Sequence, residues 1–416
     1  MNTASSSQVP IVDTKPNRGP LAGLLVVDLT QFLSGPFCTQ ILGDLGADVV
    51  KVEAPEGDLA RAIPPHFVAG DSVYYHSVNR NKQSLVINLK DPLGPDLLRR
   101  LVAKADIVVE NFRPGVLDRL GLSAKKARED KPSLIWCSIS GFGQDGPYRD
   151  KPAYDMIVQA LSGGMSMTGE PGRGAVRAGV PIGDLSAGLY AGIAILAALN
   201  RRHATGRGET IDISMLDCQA AMLSYQMAYH LHSGEVPGRQ GSAHDSIPTY
   251  RTFYAGDGLE VVVTANTERM WQGMCRALHT EDLLTDPRFT TNRERLSNSA
   301  ALVPLLTAAF LKGSAAHWVA RLEAEQVPVG VVNTLDHVAA DPQIRHRNMV
   351  LDLPVADGSV RVMGDPIKMA EACRASHVSP PALGSDTRHV LSQLLGLSAD
   401  EIDALNSAGA LRLEDS

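Results

Sequence analysis

Cysteine and excess positive charge are both scarce in this 416-residue chain, and each scarcity excludes a class of protein. The five cysteines are scattered and form no Cys-x-x-Cys pair, so we expect reduced, buried thiols rather than a disulfide framework. The formal net charge is −7. Because a nucleic-acid-binding surface normally carries a basic excess, we exclude nucleic acid as a partner.

Long apolar segments are also missing. The polar N-terminus has no hydrophobic stretch of the secretory type, and we expect residues 1–20 to form a disordered arm. The longest apolar run, near residues 189–199, is shorter than the ~20 residues that span a bilayer. We therefore expect a cytoplasmic protein with no membrane partner. Its length favours two or three domains, and its 44% apolar residues suffice for a large core.

Several common catalytic motifs are absent as well. The turn after the first predicted strand reads QFLSGPFCTQ and contains no G-x-G-x-x-G, so Glu53 at the end of the second strand does not by itself indicate a dinucleotide site. The chain has no Walker loop, no H-E-x-x-H and no G-x-S-x-G. Its twelve histidines are dispersed, so we expect no metal and no tightly bound cofactor.

The first half of the chain alternates short β-rich runs with helical stretches. The predicted strands are 24–30, 47–53, 84–89, 106–112, 134–143 and 209–216. Continuous apolar strands separated by helices predict an α/β fold with a doubly wound parallel sheet. Its ligand crevice should lie at the carboxyl ends of the strands.

The character of the sequence changes after residue 232. A Gly/Pro-rich linker (234–248) leads to a hairpin turned at residues 256–258 and then to helices at 267–278, 298–312 and 315–325. We assign 21–232 to a large Rossmann-like domain and 233–345 to the linker and a smaller α+β domain. Ser385 and Ser398 predict the starts of two C-terminal helices.

Four cations lie near the predicted crevice. Arg80 and Lys82 precede the third strand, and Arg113 and Arg119 follow the fourth. A strand end that opens into a helix N-terminus with arginines nearby is a natural phosphate site. Each cation has a plain alternative as a solvated surface charge.

Asp184 stands where a long apolar helix should begin, in GDLSAGLYAGIAILAAL. Aspartate is a favoured N-cap, and the pattern alone favours that role. The small residues that follow it leave room for a bulky ligand, and a helix N-terminus would keep the carboxylate ionised. The pattern therefore leaves two interpretations open, a cap and a nucleophile.

Segments in the right order over nearly the whole chain from about Leu21 resemble the class III CoA-transferases, which include formyl-CoA:oxalate and carnitine-type enzymes. They include GLLVVDLTQFLSGPFCTQILGDLGADVVKVEAPEGD, VENFRPGVLDRLGL and GDLSAGLYAGIAILAAL. SVNRNKQSLVINLKDP and GSAHDSIPTYRTF are most similar to the succinate/hydroxymethylglutarate-type dicarboxylate CoA-transferases.

The resemblance implies a ring-shaped chain in an interlocked homodimer, with residues 346–416 returning to the large domain. It implies Asp184 as the catalytic residue. The implied CoA-binding residues are Phe32, Leu33, Ser34, Lys82, Asn111, Phe112, Arg113, Arg119 and Leu120. Two basic residues of the formyl-type members are replaced here by Ala54 and Ser140, and we expect Arg61 or Arg80 to substitute for them.

The implied reaction moves CoA from an acyl-CoA to a carboxylic acid through covalent aspartyl intermediates, with oxyanion donors at a Gly turn such as residues 162–164. CoA is thus a substrate. The alternative within the fold is an α-methylacyl-CoA racemase, whose G-H-D motif is here PAYD, with Tyr154 before Asp155. A catalytically silent CoA-binding protein would lack Asp184.

We expect succinyl-CoA as donor and a small dicarboxylic acid such as glutarate, itaconate or malate as acceptor. A dicarboxylate needs a cation for its distal carboxylate. The candidates are Arg80, Arg177, Arg239 and His244.

Overall fold

The computed structural model describes residues 19–370 and 377–413. Almost all of the predicted N-terminal arm and Cys373 lie outside this range. The strands are β1 (Leu25–Asp28), β2 (Asp48–Glu53), β3 (Phe67–Val68), β4 (Asp71–Ser72), β5 (Lys82–Val86), β6 (Ile107–Glu110), β7 (Ile135–Ser140), β8 (Thr210–Ser214), β9 (Tyr250–Tyr254), β10 (Glu260–Thr264), β11 (Val329–Val331), β12 (Val350–Val355) and β13 (Gly358–Met363).

The helices, in chain order, are α1 (Ser34–Asp44), α2 (Val73–Ser77), α3 (Gly94–Lys104), α4 (Val116–Arg119), α5 (Ala124–Asp130), α6 (Asp155–Leu161), α7 (Gly164–Met167), α8 (Ile182–Thr205), α9 (Met215–Ala221), α10 (Ser224–Ser233), α11 (Glu268–Leu278), α12 (Asn292–Ser297), α13 (Ser299–Phe310), α14 (Ala315–Ala324), α15 (Leu335–Ala340), α16 (Pro342–His346), α17 (Thr387–Leu395) and α18 (Ala399–Ser407). Single 3-10 turns cover Leu59–Ala62 and Glu281–Leu284.

A six-stranded parallel sheet confirms the predicted α/β fold. Its order is β5-β2-β1-β6-β7-β8, and every neighbouring pair is parallel. The chain therefore winds outward in one direction from β1 and then, from β6, in the other. The turns that follow β1 and β6 meet where the strand order reverses, which is where sheets of this kind bind ligands.

Helices cover both faces of the sheet. On one face, Leu98 of α3 and Leu391 of α17 pack against the strands, so the C-terminal helices close the same core as the early ones. On the other face, Cys38 of α1 and Ala191 of α8 pack against the same sheet. This second core brings the start of α1 beside the start of α8.

The chain separates into two compact units. The first comprises the chain up to Gly164, Ala178–Met227 and the chain from His346 onward. The second comprises Met165–Arg177 and Ala228–Arg345 and contains the antiparallel sheet β11-β10-β9. Helices α11, α13 and α14 pack on that sheet around Trp271, Phe310 and Trp318.

Most predicted elements are confirmed, including the hairpin β9–β10 and the capping box at Ser398. Residues 217–232 fall in two helices, α9 and α10, and Ser224, at the start of the second, has a positive φ of 47°. The start expected at Ser385 is wrong, since α17 begins at Thr387. The hairpin β12–β13 was not predicted. Cys38, Cys137, Cys218 and Cys275 are buried and free, as expected.

Helix α8 corrects the expectation that no apolar segment of the chain is long enough to span a bilayer. This helix runs for 24 residues and is long and apolar enough to cross a bilayer. Half of its apolar stretch is buried inside the fold. Ala187, Ala191 and Ile195 belong to the sheet core, so burial against the sheet accounts for much of its composition.

Candidate functional site

The turn after β1 is held from two sides. Asn111, which directly follows β6, accepts a hydrogen bond from the Gln31 N–H (2.9 Å) and donates one to the Gln31 carbonyl (2.8 Å). The N–H of Phe32 donates to Asp58 Oδ1 (3.2 Å). Phe32 has a φ of +63°, which a non-glycine residue adopts only when its surroundings enforce it. The turn is therefore fixed before α1 begins at Ser34.

Helix α1 approaches α8 very closely at Gly188. A Cβ at this position would lie 2.7 Å from the Ser34 carbonyl oxygen and 3.0 Å from the Phe37 ring. Glycine is therefore required for this packing. The close approach brings Ser34, which is 4% exposed, to the start of α8, where its hydroxyl lowers the pKa of the Asp184 carboxyl.

Asp184 is the third residue of α8 and is not its cap. Pro181 occupies the N-cap position, and its side chain makes no capping hydrogen bond. Asp155, the first residue of α6, supplies the acceptor instead. Its Oδ1 accepts hydrogen bonds from the N–H of Gly183 (2.7 Å) and of Asp184 (3.3 Å). Of the two interpretations that the sequence left open for Asp184, capping is therefore excluded.

A glutamine on α6 orders Asp155 in turn. Gln159 Nε2 donates to Asp155 Oδ2 (2.7 Å), and Gln159 Oε1 accepts a hydrogen bond from the Ala178 N–H (2.9 Å). Sequence reasoning missed both Asp155 and Gln159 as site residues. Their spacing of four residues, which places them on one face of a helix, was the available signal.

The Asp184 carboxyl is less acidic than we expected. Burial raises its pKa, the negative charge of Asp155 raises it further, and the Ser34 hydrogen bond lowers it, which leaves a pKa of about 7. The expectation that the helix N-terminus keeps this group fully ionised is therefore wrong, because burial and the neighbouring acid outweigh it. Near neutral pH the group exchanges between its carboxylate and its acid.

Two tyrosines border the same carboxylates. Burial, followed by the charges of Asp184, Asp58 and Asp155, raises the pKa of Tyr74, so its phenol keeps its proton. The ring of Tyr154 contacts the ring of Phe32 edge to face at 6.0 Å and is largely exposed. Sequence reasoning missed Tyr74, and Tyr154 entered it only through the comparison with racemases.

Arg80 and Lys82, both predicted to contact CoA, are buried in ion pairs. The guanidinium of Arg80 binds Asp44 at 2.8 and 2.5 Å and the Met363 carbonyl at 2.8 Å. The Lys82 ammonium binds Asp28, Asn79 and the Pro36 carbonyl at 2.9–3.0 Å, and burial lowers its pKa to about 8. These two predictions are corrected, because neither cation is presented to a ligand.

Arg61, the other residue expected to substitute for the missing family cations, is also engaged in ion pairs. Arg61 is buried and bidentate to Glu53, with both distances 2.8 Å, and also binds Asp71. Ser140 accepts a hydrogen bond from the Gly143 N–H (2.9 Å). Arg61 therefore fixes the end of β2 and does not replace a ligand-binding cation.

Arg113 and Arg119 remain exposed, as a ligand-binding role requires. Arg113, Pro114 and Gly115 help to line a cavity of about 660 Å³, together with Trp136 and Ser138. A Cβ at position 115 would lie 3.6 Å from guanidinium nitrogens of both Arg119 and Arg149. Arg149, which sequence reasoning missed, thus adds a third guanidinium.

The other predicted residues have structural surroundings. Leu33 is buried at the N-cap of α1, and Phe112 and Leu120 pack against the sheet core. In the Gly turn, the Gly164 N–H donates to the Ser162 hydroxyl at 3.4 Å. Arg177, Arg239 and His244 belong to the second unit. No cluster of potential metal ligands occurs among the residues described.

Comparisons with known proteins agree with this architecture. Succinyl-CoA:glutarate CoA-transferase of Homo sapiens is 38% identical over 398 residues, which cover 95% of this chain and 90% of the relative. Succinate–glutarate CoA-transferase of Agrobacterium fabrum is 39% identical over 389 residues, 91% of this chain and 97% of the relative. The crystal structure of a CAIB/BAIF family protein from Brucella suis matches with a TM-score of 0.82 and 38% identity, over 91% of this chain and 100% of that one.

The family itself follows from a match that spans most of the chain. The model of CoA-transferase family III matches residues 21–387, which include the turn after β1, the arginines after β6 and Asp184. The resemblance predicted from the sequence is therefore confirmed. The chain belongs to CoA-transferase family III and is an enzyme that transfers CoA between carboxylic acids.

Proposed function

We propose that this enzyme transfers CoA from succinyl-CoA to a small dicarboxylic acid such as glutarate, with Asp184 as the nucleophile. The observation that carries the assignment of Asp184 is its position between three groups. Asp155 binds its backbone N–H, Gly188 lets α1 approach, and the Ser34 hydroxyl at the start of α1 lowers the pKa of its carboxyl. The reaction class comes from the family, and the dicarboxylate from relatives named for glutarate.

The chemistry begins with the ionised Asp184. A carboxylate oxygen attacks the thioester carbonyl of the donor, and the C–S bond breaks, which releases CoA as a thiolate and forms an aspartyl–acyl mixed anhydride. The thiolate then attacks the Asp184 carbonyl carbon and releases the donor acid, which leaves an aspartyl-CoA thioester. The acceptor carboxylate attacks that carbonyl, and the two steps run in reverse to give the new acyl-CoA and free Asp184.

The residues around Asp184 have separate tasks in this scheme. The Ser34 hydroxyl favours the ionised carboxylate before attack, and the Tyr74 phenol keeps its proton under the negative charges of Asp184 and Asp155. The half-buried position of Asp184 limits the access of water, which would hydrolyse the anhydride and the thioester. The racemase alternative lacks support, because Tyr154 stands where that chemistry uses a histidine.

CoA binding is proposed at the carboxyl ends of β1 and β6, in the first unit. The guanidinium groups of Arg113, Arg119 and Arg149 supply the positive charge for the phosphates, and the cavity of about 660 Å³ beside Arg113 accommodates the nucleotide end. The turn at Phe32 and Ser34 then takes the thioester end. For the distal carboxylate of the acceptor, Arg80 is excluded by its ion pair with Asp44.

A homodimer is proposed from the apolar surface of the first unit. Met156, Ile157 and Leu161 on α6 and Leu189, Ile193 and Leu196 on α8 are exposed, and exposed apolar surface of this kind marks an interaction site. We take the partner to be a second copy. The ring shape, the interlocking of two copies and the cytoplasmic localisation rest on the sequence resemblance and composition.

Two measurements test the proposed function. The purified enzyme, given succinyl-CoA and a panel of acids, should form glutaryl-CoA or another dicarboxylate thioester, whereas α-epimerisation without transfer would contradict a transferase. Asp184→Asn should abolish turnover and leave the melting temperature and CoA binding near those of the wild type. An Asp184→Asn variant with near-normal turnover would show that another residue is the nucleophile.

A further inference from the structure

We infer that Gln159 is a positioning residue for Asp184, acting through Asp155 and Ala178 on the segment that enters α8. This inference rests on the proposed function, in which Asp184 is the nucleophile. Gln159 does not touch the reacting atoms in this scheme. It fixes the two groups that set where α8 begins.

The hydrogen bonds of Gln159 hold both ends of one short segment. Its Oε1 accepts from the Ala178 N–H (2.9 Å), at the start of the segment. Its Nε2 donates to Asp155 Oδ2 (2.7 Å), and Asp155 Oδ1 accepts from Gly183 and Asp184, at the end of the segment. Residues 178–184 are thus attached to a single turn of α6 at both ends.

The chemistry of the amide suits this task. A carboxamide offers a donor and an acceptor on one rigid plane, whereas a carboxylate only accepts and a thioether does neither well. Gln159 is 2% exposed, so an unpaired amide would be costly at this position. Both of its polar atoms are paired, one to the group that caps α8 and one to the backbone that leads into it.

The consequence concerns orientation of the nucleophile. The start of α8 is held from α6 by Asp155, which accepts hydrogen bonds from the Gly183 and Asp184 N–H groups. Without the Gln159 donor, Asp155 loses the partner that sets its side-chain rotation, and its hold on the Gly183 and Asp184 amides loosens. Small misplacements of a reacting group lower the rate of the chemical step more than they lower substrate binding.

The test replaces Gln159 with methionine, which has a similar length and no matching donor. The matched control is Gln219→Met, because Gln219 is likewise buried, at 6% exposure, but lies on α9. We expect Gln159→Met to lower kcat by roughly ten- to a hundred-fold, the loss expected for a hydrogen bond to a charged group. The KM for succinyl-CoA should stay within about twofold, and Gln219→Met should keep near wild-type kcat.

A second variant separates the two hydrogen bonds. Gln159→Glu keeps an acceptor for the Ala178 N–H and, when ionised, loses the donor to Asp155, so we expect a similar fall in kcat. A third test compares the effects on kcat of the Asp155 and Gln159 substitutions, made singly and together. Asp155→Asn and the double variant Asp155→Asn/Gln159→Met should show similar kcat values, because both changes interrupt one chain of hydrogen bonds.

The outcomes distinguish this inference from the proposed function. If Asp184→Asn keeps its turnover, the proposed function fails whatever Gln159 does. If Asp184→Asn is inactive but Gln159→Met behaves like Gln219→Met, only the positioning role is refuted. Effects of Asp155→Asn and Gln159→Met that multiply in the double variant, or a loss confined to KM, would also overturn it.

Discussion

The Asp155 carboxylate accepts a hydrogen bond from the backbone N–H of Asp184 (3.3 Å). Asp155, from α6, therefore caps α8, and Asp184, in the first turn of α8, is left free for chemistry. The arrangement has an electrostatic consequence, because the charge of the capping acid raises the pKa of its neighbour. Several measurable properties of the enzyme follow from this pair and from the packing around it.

The first prediction concerns the pH dependence of turnover. Attack requires the Asp184 carboxylate, and burial together with Asp155 places its pKa at about 7. kcat/KM should therefore fall tenfold per pH unit well below pH 7 and reach a plateau above it. In Asp155→Asn the like charge is gone while the burial stays, so the acidic limb should move to lower pH. A limb that stays in place, measured from pH 5 to 9, would contradict coupling of the two acids.

Ser34→Ala should move the acidic limb in the opposite direction. The Ser34 hydroxyl favours the ionised form of Asp184 and so lowers its pKa. Removing it should shift the limb to higher pH and lower kcat at pH 7, with recovery at pH 9. Ser77→Ala is the control, since the hydroxyl of that exposed serine binds only the Tyr74 carbonyl, at 2.7 Å. Identical profiles for the two variants would exclude the Ser34 contact.

Gly188→Ala should damage both stability and turnover. The added Cβ would meet backbone atoms of α1, so the two helices must separate, which we expect to cost about 1–3 kcal/mol in the free energy of unfolding. Gly192→Ala, one turn later in α8, meets no atom within 4 Å and should be neutral or stabilising by about 1 kcal/mol. Urea unfolding and turnover of both variants test this. Equal effects would show that the helices do not approach as described.

Arg113→Ala should raise the KM for succinyl-CoA several-fold and weaken its dependence on salt, because the guanidinium lines the proposed nucleotide cavity. The control is Arg99→Ala, an exposed arginine of α3 that pairs with Asp96. The KM for glutarate should change little in either variant. A raised KM for glutarate alone, with succinyl-CoA unaffected, would place the acceptor near Arg113 instead of CoA.

Glu110→Gln should alter the pH dependence of stability. Burial raises the pKa of Glu110 to about 7, so the folded state holds a proton that the unfolded chain releases at lower pH. The wild type should therefore lose stability as pH rises from about 4.5 to about 7, by an amount on the order of 3 kcal/mol, and lose no more above that range from this group. Glutamine removes this loss, so the variant should unfold at higher urea than the wild type at pH 8. If the free energies of unfolding of the wild type and the variant differ by the same amount at pH 5 and at pH 8, Glu110 is not a buried, protonated group.

Much of this protein is determined by its local sequence. Continuous apolar runs between helical stretches predicted the parallel sheet, because strands covered on both faces must be apolar throughout, and Ser398 predicted the start of α18. The resemblance carried by the motifs identified the family. Asp184 could be singled out because an acid before a small-residue helix is visible in the chain itself.

Tertiary structure alone decided which of these residues are available for chemistry. Arg80 and Lys82 look like ligand-binding cations in the sequence, yet Asp44 and Asp28, some 36 and 54 positions earlier, neutralise them. Asp184 looks like a cap, yet Asp155 from another helix takes that role. Local patterns depend on neighbours along the chain, whereas ion pairing, burial and pKa depend on neighbours in space, which only the folded sheet and its helices bring together.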